Sequence, residues 1–299
     1  MRIITETLWE DNENLTYTAY LQDNSLEIED GRKRPAIIVC GGGAYMGISD
    51  REKEPVALAF LAKGYQAFVI EYTTKLNGEP IYPIPVFDLA KMVLAVRENA
   101  AQWNVDPDKI CAVGFSAGGH LVASLSTQWH EDYMREKFGV PSEKLKLNAA
   151  VLCYPLTDYL LQREYLSKDK AKDEFTASMP GPKTAITAMF EQISVGVNLT
   201  EEMLKNASPY RHITKNAPPT FIWQTSTDEL VYMEQNLFYA MKLKEHYVPF
   251  ELHIFQSGVH GMSLATEQSG SGDDFIDRDV SKWFNLAIRF LDKNLNKNK

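Results

Sequence analysis

A chain of 299 residues that is 44% hydrophobic and 24% charged has the make-up of a soluble globular protein with a sizeable core, which excludes collagen-like, coiled-coil and disordered classes. Lys and Arg number 31 against 40 Asp and Glu, for a net charge of −9, so no nucleic acid and no membrane is expected as a partner, because both select a basic face. The longest apolar run, residues 56–62, is far short of the ~20 residues of a membrane span. The amino terminus turns polar before a signal-peptide core could form. Cys40, Cys111 and Cys153 lie in apolar runs without a Cys-x-x-Cys pair, so buried free thiols, no metal site and a cytoplasmic location are the expectation.

Leu15, Tyr17, Ala19 and Leu21 alternate with polar residues, as in an antiparallel strand. From residue 35 short apolar runs alternate with helical periodicity, the pattern of an α/β fold with a mostly parallel sheet covered by helices on both faces. Strands are expected at residues 35–40, 66–71, 110–114, 149–154, 219–224 and 250–255. Helices are expected at 54–63, from 86 to about Trp103, near 234–246, and at the end of the chain through Val280, Trp283, Phe284, Ala287 and Leu291. Asp106-Pro107-Asp108 reads as a turn, and 266–274 as a small polar loop. Residues 157–217 are too long for a plain crossover and richer in charge. They read as a cap insertion within one domain spanning 1–299; shielding of the sheet edge or a homodimer contact is the alternative use of that segment.

Gly114-Phe115-Ser116-Ala117-Gly118 matches Gly-x-Ser-x-Gly directly after a strand and before the helical run Leu121, Val122, Leu125. Composition alone yields only ~0.05 such matches in a chain of this length, and a serine on this strand-to-helix turn is pushed out over the sheet edge. Serine is a weak nucleophile unless a base takes its proton and a carboxylate orients that base. His260, in a Gly-flanked loop after the last strand, is the candidate base. His253 lies on a strand, and His130, His212 and His246 sit in polar contexts. His120, one helical turn after Ser116, points away from the hydroxyl and reads as a packing or hydrogen-bonding group. Asp228 is the candidate carboxylate, with Glu229 as local and Asp158 as remote competitor. The chain order Ser, Asp, His is that of α/β hydrolases. An oxyanion formed at Ser116 needs N–H donors, of which Ala117 supplies one and the loop Gly41-Gly42-Gly43-Ala44-Tyr45 the others. That loop lacks the spacing of a phosphate-binding motif.

On these motifs, together with Gly64 to Tyr72, Pro218 to Phe221, Thr225 to Val231 and His260-Gly261, the chain resembles the esterase/lipase branch of the α/β hydrolases. Within it the resemblance is to the acetyl-xylan-esterase-like group, over residues 34–291. It implies a serine carboxylesterase for small acyl esters, acetyl esters of sugars included, with the Ser116–His260–Asp228 triad and no cofactor. Relatives read His-Gly-Gly-Gly or Pro-Gly-Gly-Gly before an aromatic. With Tyr45 matched to that aromatic the loop donors are Gly43 and Ala44, and a register one residue away is the alternative. Tyr45, Met189 and Phe190 are the expected pocket residues, with the insert restricting the acyl group to acetyl through butyryl. The rival readings are a peptidase or amidase of the same fold and a non-catalytic small-molecule binding protein.

Overall fold

The computed structural model describes residues 1–296. Its eight strands are β1 (Arg2–Trp9), β2 (Asn12–Leu21), β3 (Arg34–Cys40), β4 (Gln66–Ile70), β5 (Val105–Phe115), β6 (Ala149–Cys153), β7 (Thr220–Thr225) and β8 (Phe250–Phe255), in one sheet of order β1-β2-β4-β3-β5-β6-β7-β8. β1 and β2 are antiparallel to each other and β2 is antiparallel to β4, whereas every pairing from β4 to β8 is parallel. The expected α/β architecture is therefore the observed one.

Helices α1 (Glu54–Leu61), α2 (Ile84–Glu98), α3 (Ala117–Gln128), α4 (Asp132–Phe138), α5 (Tyr159–Lys168), α6 (Lys183–Ser194), α7 (Glu201–Asn206), α8 (Glu234–Glu245) and α9 (Trp283–Leu295) complete the chain. The period of two along each strand sends alternate side chains to opposite faces. Ile38, Ala112, Leu152 and Ile222 pack with Leu89, Leu121 and Leu243 of α2, α3 and α8. Ile37, Val113, Val151 and Trp223 pack on the other face with Phe60 of α1 and Trp283 and Phe290 of α9. Each such fully buried large side chain contributes about 1.5–3 kcal/mol by leaving water. Trp283 also ties this core to the functional edge: it stacks on Trp223 at 5.3 Å, and its indole N–H donates to the Ser263 carbonyl at 3.0 Å.

Three local expectations need correction. Asp106-Pro107-Asp108 lies within β5, where the register with β3 slips between Arg34–Val105 and Ala36–Ile110. The turn chemistry is present, since Asp106 accepts the Asp108 N–H at 3.1 Å, and it makes a bulge that the strand continues through. The helix expected to reach Trp103 ends at Glu98, where the Asn99 side-chain amide bonds back to the Ala95 carbonyl. Trp103 is nevertheless buried, against Tyr17 and Phe68. β1 was not expected, because half of its residues are exposed and they show no steady apolar face. Among the described residues no helix is long and apolar enough to cross a membrane.

Candidate active site

The loops after β3, β5, β6, β7 and β8 all leave the carboxyl ends of parallel strands, the edge at which open α/β sheets place their ligands. Ser116 stands between β5 and α3 with φ 51° and ψ −115°, a strained conformation for a residue with a side chain. The turn is held because the Ser116 N–H donates to the Cys153 carbonyl at 3.0 Å and its own carbonyl accepts from His120 N–H at 2.9 Å. The flanking glycines are required by contact: a Cβ on Gly118 would lie 2.1 Å from the Cys40 carbonyl oxygen, and one on Gly114 2.1 Å from that of Gly118.

Ser116 Oγ lies 2.8 Å from His260 Nε2, and His260 Nδ1 lies 2.8 Å from Asp228 Oδ2. All three side chains are at least nine-tenths buried. Asp228 is locked in place, since its Oδ1 accepts the N–H groups of Leu230 and Val231, each at 2.9 Å, and its Oδ2 also accepts from Gln224 Nε2 at 3.1 Å. Burial by itself lowers the affinity of His260 for a proton, but the carboxylates of Asp228, Glu229 and Glu52 outweigh it, so the imidazole titrates above its ordinary value. The two competing carboxylates lie elsewhere. Glu229 Oε2 accepts the His260 backbone N–H at 3.1 Å, and Asp158 caps α5 through the N–H groups of Leu160 and Leu161 and pairs with Arg211.

In the loop after β3, Gly42 N–H donates to Glu52 Oε2 at 2.7 Å. Gly43, Ala44 and Ala117 have no acceptor for their N–H groups among the described residues. A register shifted back to Gly42 and Gly43 would thus call on an N–H already spent on Glu52. Ala44 and Tyr45 have φ 55° and 58°, and the strain is countered by an anchor, the Tyr45 hydroxyl donating to His120 Nδ1 at 2.6 Å. His120 Nε2 faces the Ala207 carbonyl at 2.7 Å. A carbonyl can only accept, which fixes the proton on Nε2. Burial depresses His120 to about 4, so it is neutral at physiological pH and plays the packing and hydrogen-bonding part expected of it.

Two recesses flank Ser116. One is narrow and apolar, lined by Ala44, Tyr45, Ala117, Leu156, Phe190 and Val231 with Ser194 at its side, and leaves a water-sized sphere only ≈ 10 Å³ in which to move. The other, about 110 Å³, is open and more polar, with Ser49, Arg51, Glu52, Ser178 and Phe275 among its walls. Tyr45 and Phe190 line the narrow recess. Met189 does not; it packs one layer out against the cluster of Ala44, Ile186 and Phe190, because adjacent helical residues point about 100° apart. Glu52 and Tyr154 were missed by sequence reasoning. Among the described residues no cluster of His, Cys, Asp or Glu is placed to hold a metal ion.

The same architecture recurs in solved enzymes. The chain is 29% identical to an acetyl ester-xyloside bifunctional hydrolase from Caldicellulosiruptor lactoaceticus over 98% of this chain and 96% of the other, with a TM-score of 0.75. It is 25% identical to the carboxylesterase Cest-2923 from Lactobacillus plantarum, with both chains fully covered and a TM-score of 0.80. The fold is that of the α/β hydrolases. The BD-FAE family model matches residues 23–243, and the chain belongs to this family of α/β-hydrolase esterases. A curated relative, endo-1,4-beta-xylanase B of Butyrivibrio fibrisolvens, is 28% identical over 89% of the chain, which spans 39% of that relative's length.

Proposed function

We propose that the chain is a serine carboxylesterase that removes small acyl groups, acetyl above all, from the hydroxyls of sugars. The observation that carries the reading is the continuous relay from Asp228 through His260 to Ser116, with 2.8 Å at each link, beside N–H groups that have no partner among the described residues. Ser116 Oγ attacks the ester carbonyl carbon while its proton passes to His260 Nε2. The carbonyl oxygen becomes an oxyanion, held by the N–H groups of Gly43, Ala44 and Ala117, each worth ~3 kcal/mol in the transition state. Collapse breaks the bond to the alcohol oxygen, which leaves with the proton from His260. Water then attacks the acyl-Ser116 ester by the same route and releases the acid.

The narrow recess supports a short acyl group, for its space suits a methyl and little more. Residues of the 157–217 segment, Phe190 and Ser194 foremost, bound it, so that segment acts as the cap on the acyl side. The open polar recess takes the alcohol, and the names of the xylan-directed relatives support a sugar there. A turnover panel of acetyl, butyryl, octanoyl and palmitoyl esters and acetylated xylo-oligosaccharides tests the reading. Acetyl esters should be preferred; a preference for octanoyl or longer contradicts the short-acyl assignment.

A further inference from the structure

Glu52 is an anomaly in this site. It is a carboxylate 3% exposed, in the wall of the more polar recess beside Ser116 and His260, with no cation bonded to it among the described residues. Its two oxygens are spent on two different loops. Oε2 accepts the Gly42 N–H at 2.7 Å, and Oε1 accepts the Tyr154 hydroxyl at 2.6 Å. Tyr154 continues the chain: its oxygen accepts the Ser263 N–H at 2.8 Å, and its ring meets the His260 imidazole edge-on at 5.0 Å between centroids. Ser263 closes the circuit by donating from Oγ to the Arg51 carbonyl at 2.7 Å. The glycine loop, the strand end after β6 and the His260 loop therefore meet at one buried acid. Burying a charge without a cation is costly, and a merely structural bridge could use a neutral amide.

We propose that Glu52 is a positioning residue for the esterase reaction, holding the Gly43–Ala44 donors and the His260 ring in one frame through Gly42 and Tyr154. The inference rests on the Ser116 hydrolase reading above. Spending the Gly42 N–H on Glu52 anchors the start of the loop whose next two residues, Gly43 and Ala44, line a recess together with Ser116. The Tyr154 ring, on a residue whose backbone stands at φ 40°, is the wall against which His260 lies. The charged groups around His260 are Asp228, Glu229 and Glu52, and those around Glu52 are His260 and Arg51. An ionised Glu52 thus also adds to the basicity of His260.

The variants are Glu52→Gln, which keeps shape and one acceptor, Tyr154→Phe, which keeps the ring, and their double. Each is measured for kcat and KM on a short acetyl ester from pH 5 to 9, beside Ser116→Ala, with thermal unfolding to confirm folding. Glu52→Gln and Tyr154→Phe should each lower kcat about 10- to 100-fold, as small misplacements of reacting groups do, with KM within about threefold. The double should be little worse than the poorer single, because both break one chain. In Glu52→Gln the acid limb of kcat/KM should move to lower pH, since a negative charge near His260 is gone. Wild-type kcat with an unmoved limb in a folded Glu52→Gln, while Ser116→Ala is dead, overturns the role of Glu52 alone. Should Ser116→Ala keep its turnover, the hydrolase reading falls and this inference with it.

Discussion

Glu229 holds the backbone of His260 and not its ring: its Oε2 accepts the His260 N–H at 3.1 Å, while the imidazole bonds to the neighbouring Asp228. Two adjacent carboxylates thus serve one histidine in different ways. Asp228→Asn should lower kcat by about 10⁴-fold, because an amide favours the wrong imidazole tautomer. Glu229→Gln keeps an acceptor for the N–H and should cost less than about tenfold. Steady-state kinetics on an acetyl ester decides between them, and a reversed order would move the orienting role to Glu229.

The narrow recess predicts where specificity can be moved. Phe190→Leu and Phe190→Ala should raise kcat/KM for butyryl and hexanoyl esters relative to acetyl by about 10-fold or more, in line with one or two methylenes in an apolar pocket. Met189→Ala, one layer out, should leave that ratio within about threefold. Equal effects at both positions would mean that Phe190 does not bound the acyl group.

His260 must be neutral to act as base. Its surrounding carboxylates hold its proton affinity above the ordinary imidazole value, so the acid loss of kcat/KM should set in at a higher pH than for a free imidazole and be nearly complete in mild acid. A profile flat from pH 5 to 8 would contradict that role.

His120 makes the opposite prediction, and for stability. Its folded-state value is depressed to about 4 by burial, while an unfolded histidine titrates near ~6.5. Between those values the unfolded chain binds the extra proton, so stability falls with falling pH. The term is fully favourable to the fold above about 6.5 and declines toward pH 4, by about 3 kcal/mol in all. Denaturant unfolding of wild type and His120→Gln from pH 4 to 7 should show the wild-type advantage shrinking with acid. An advantage constant across that range would mean His120 does not titrate this way.

The sequence carried the sheet because doubly buried strands are nearly continuous in apolar residues, as in residues 149–153. Ser116 and Asp228 were legible because each follows such a strand, and His260 because it follows the alternating edge strand β8 in the order the fold imposes. Glu52 was invisible for a physical reason: it lies in the run Asp50-Arg51-Glu52-Lys53-Glu54, which locally reads as a solvated face. Its burial is decided by Gly42 and by Tyr154, 102 residues away. Met189 and Phe190 were indistinguishable for a similar reason, since the insert carries scattered apolar residues and only the rotation of α6 selects the one that reaches Ser116. The bulge in β5 hid behind its own turn chemistry.

The central claim is that Ser116 is an activated nucleophile. The most direct test treats the intact protein with a fluorophosphonate and locates the adduct by peptide mass spectrometry, following acetyl-ester turnover in the same sample. One adduct, on Ser116, formed in step with the loss of turnover and absent from Ser116→Ala, is the result expected. Turnover that persists after Ser116 is fully modified, or full activity in Ser116→Ala, would contradict the account.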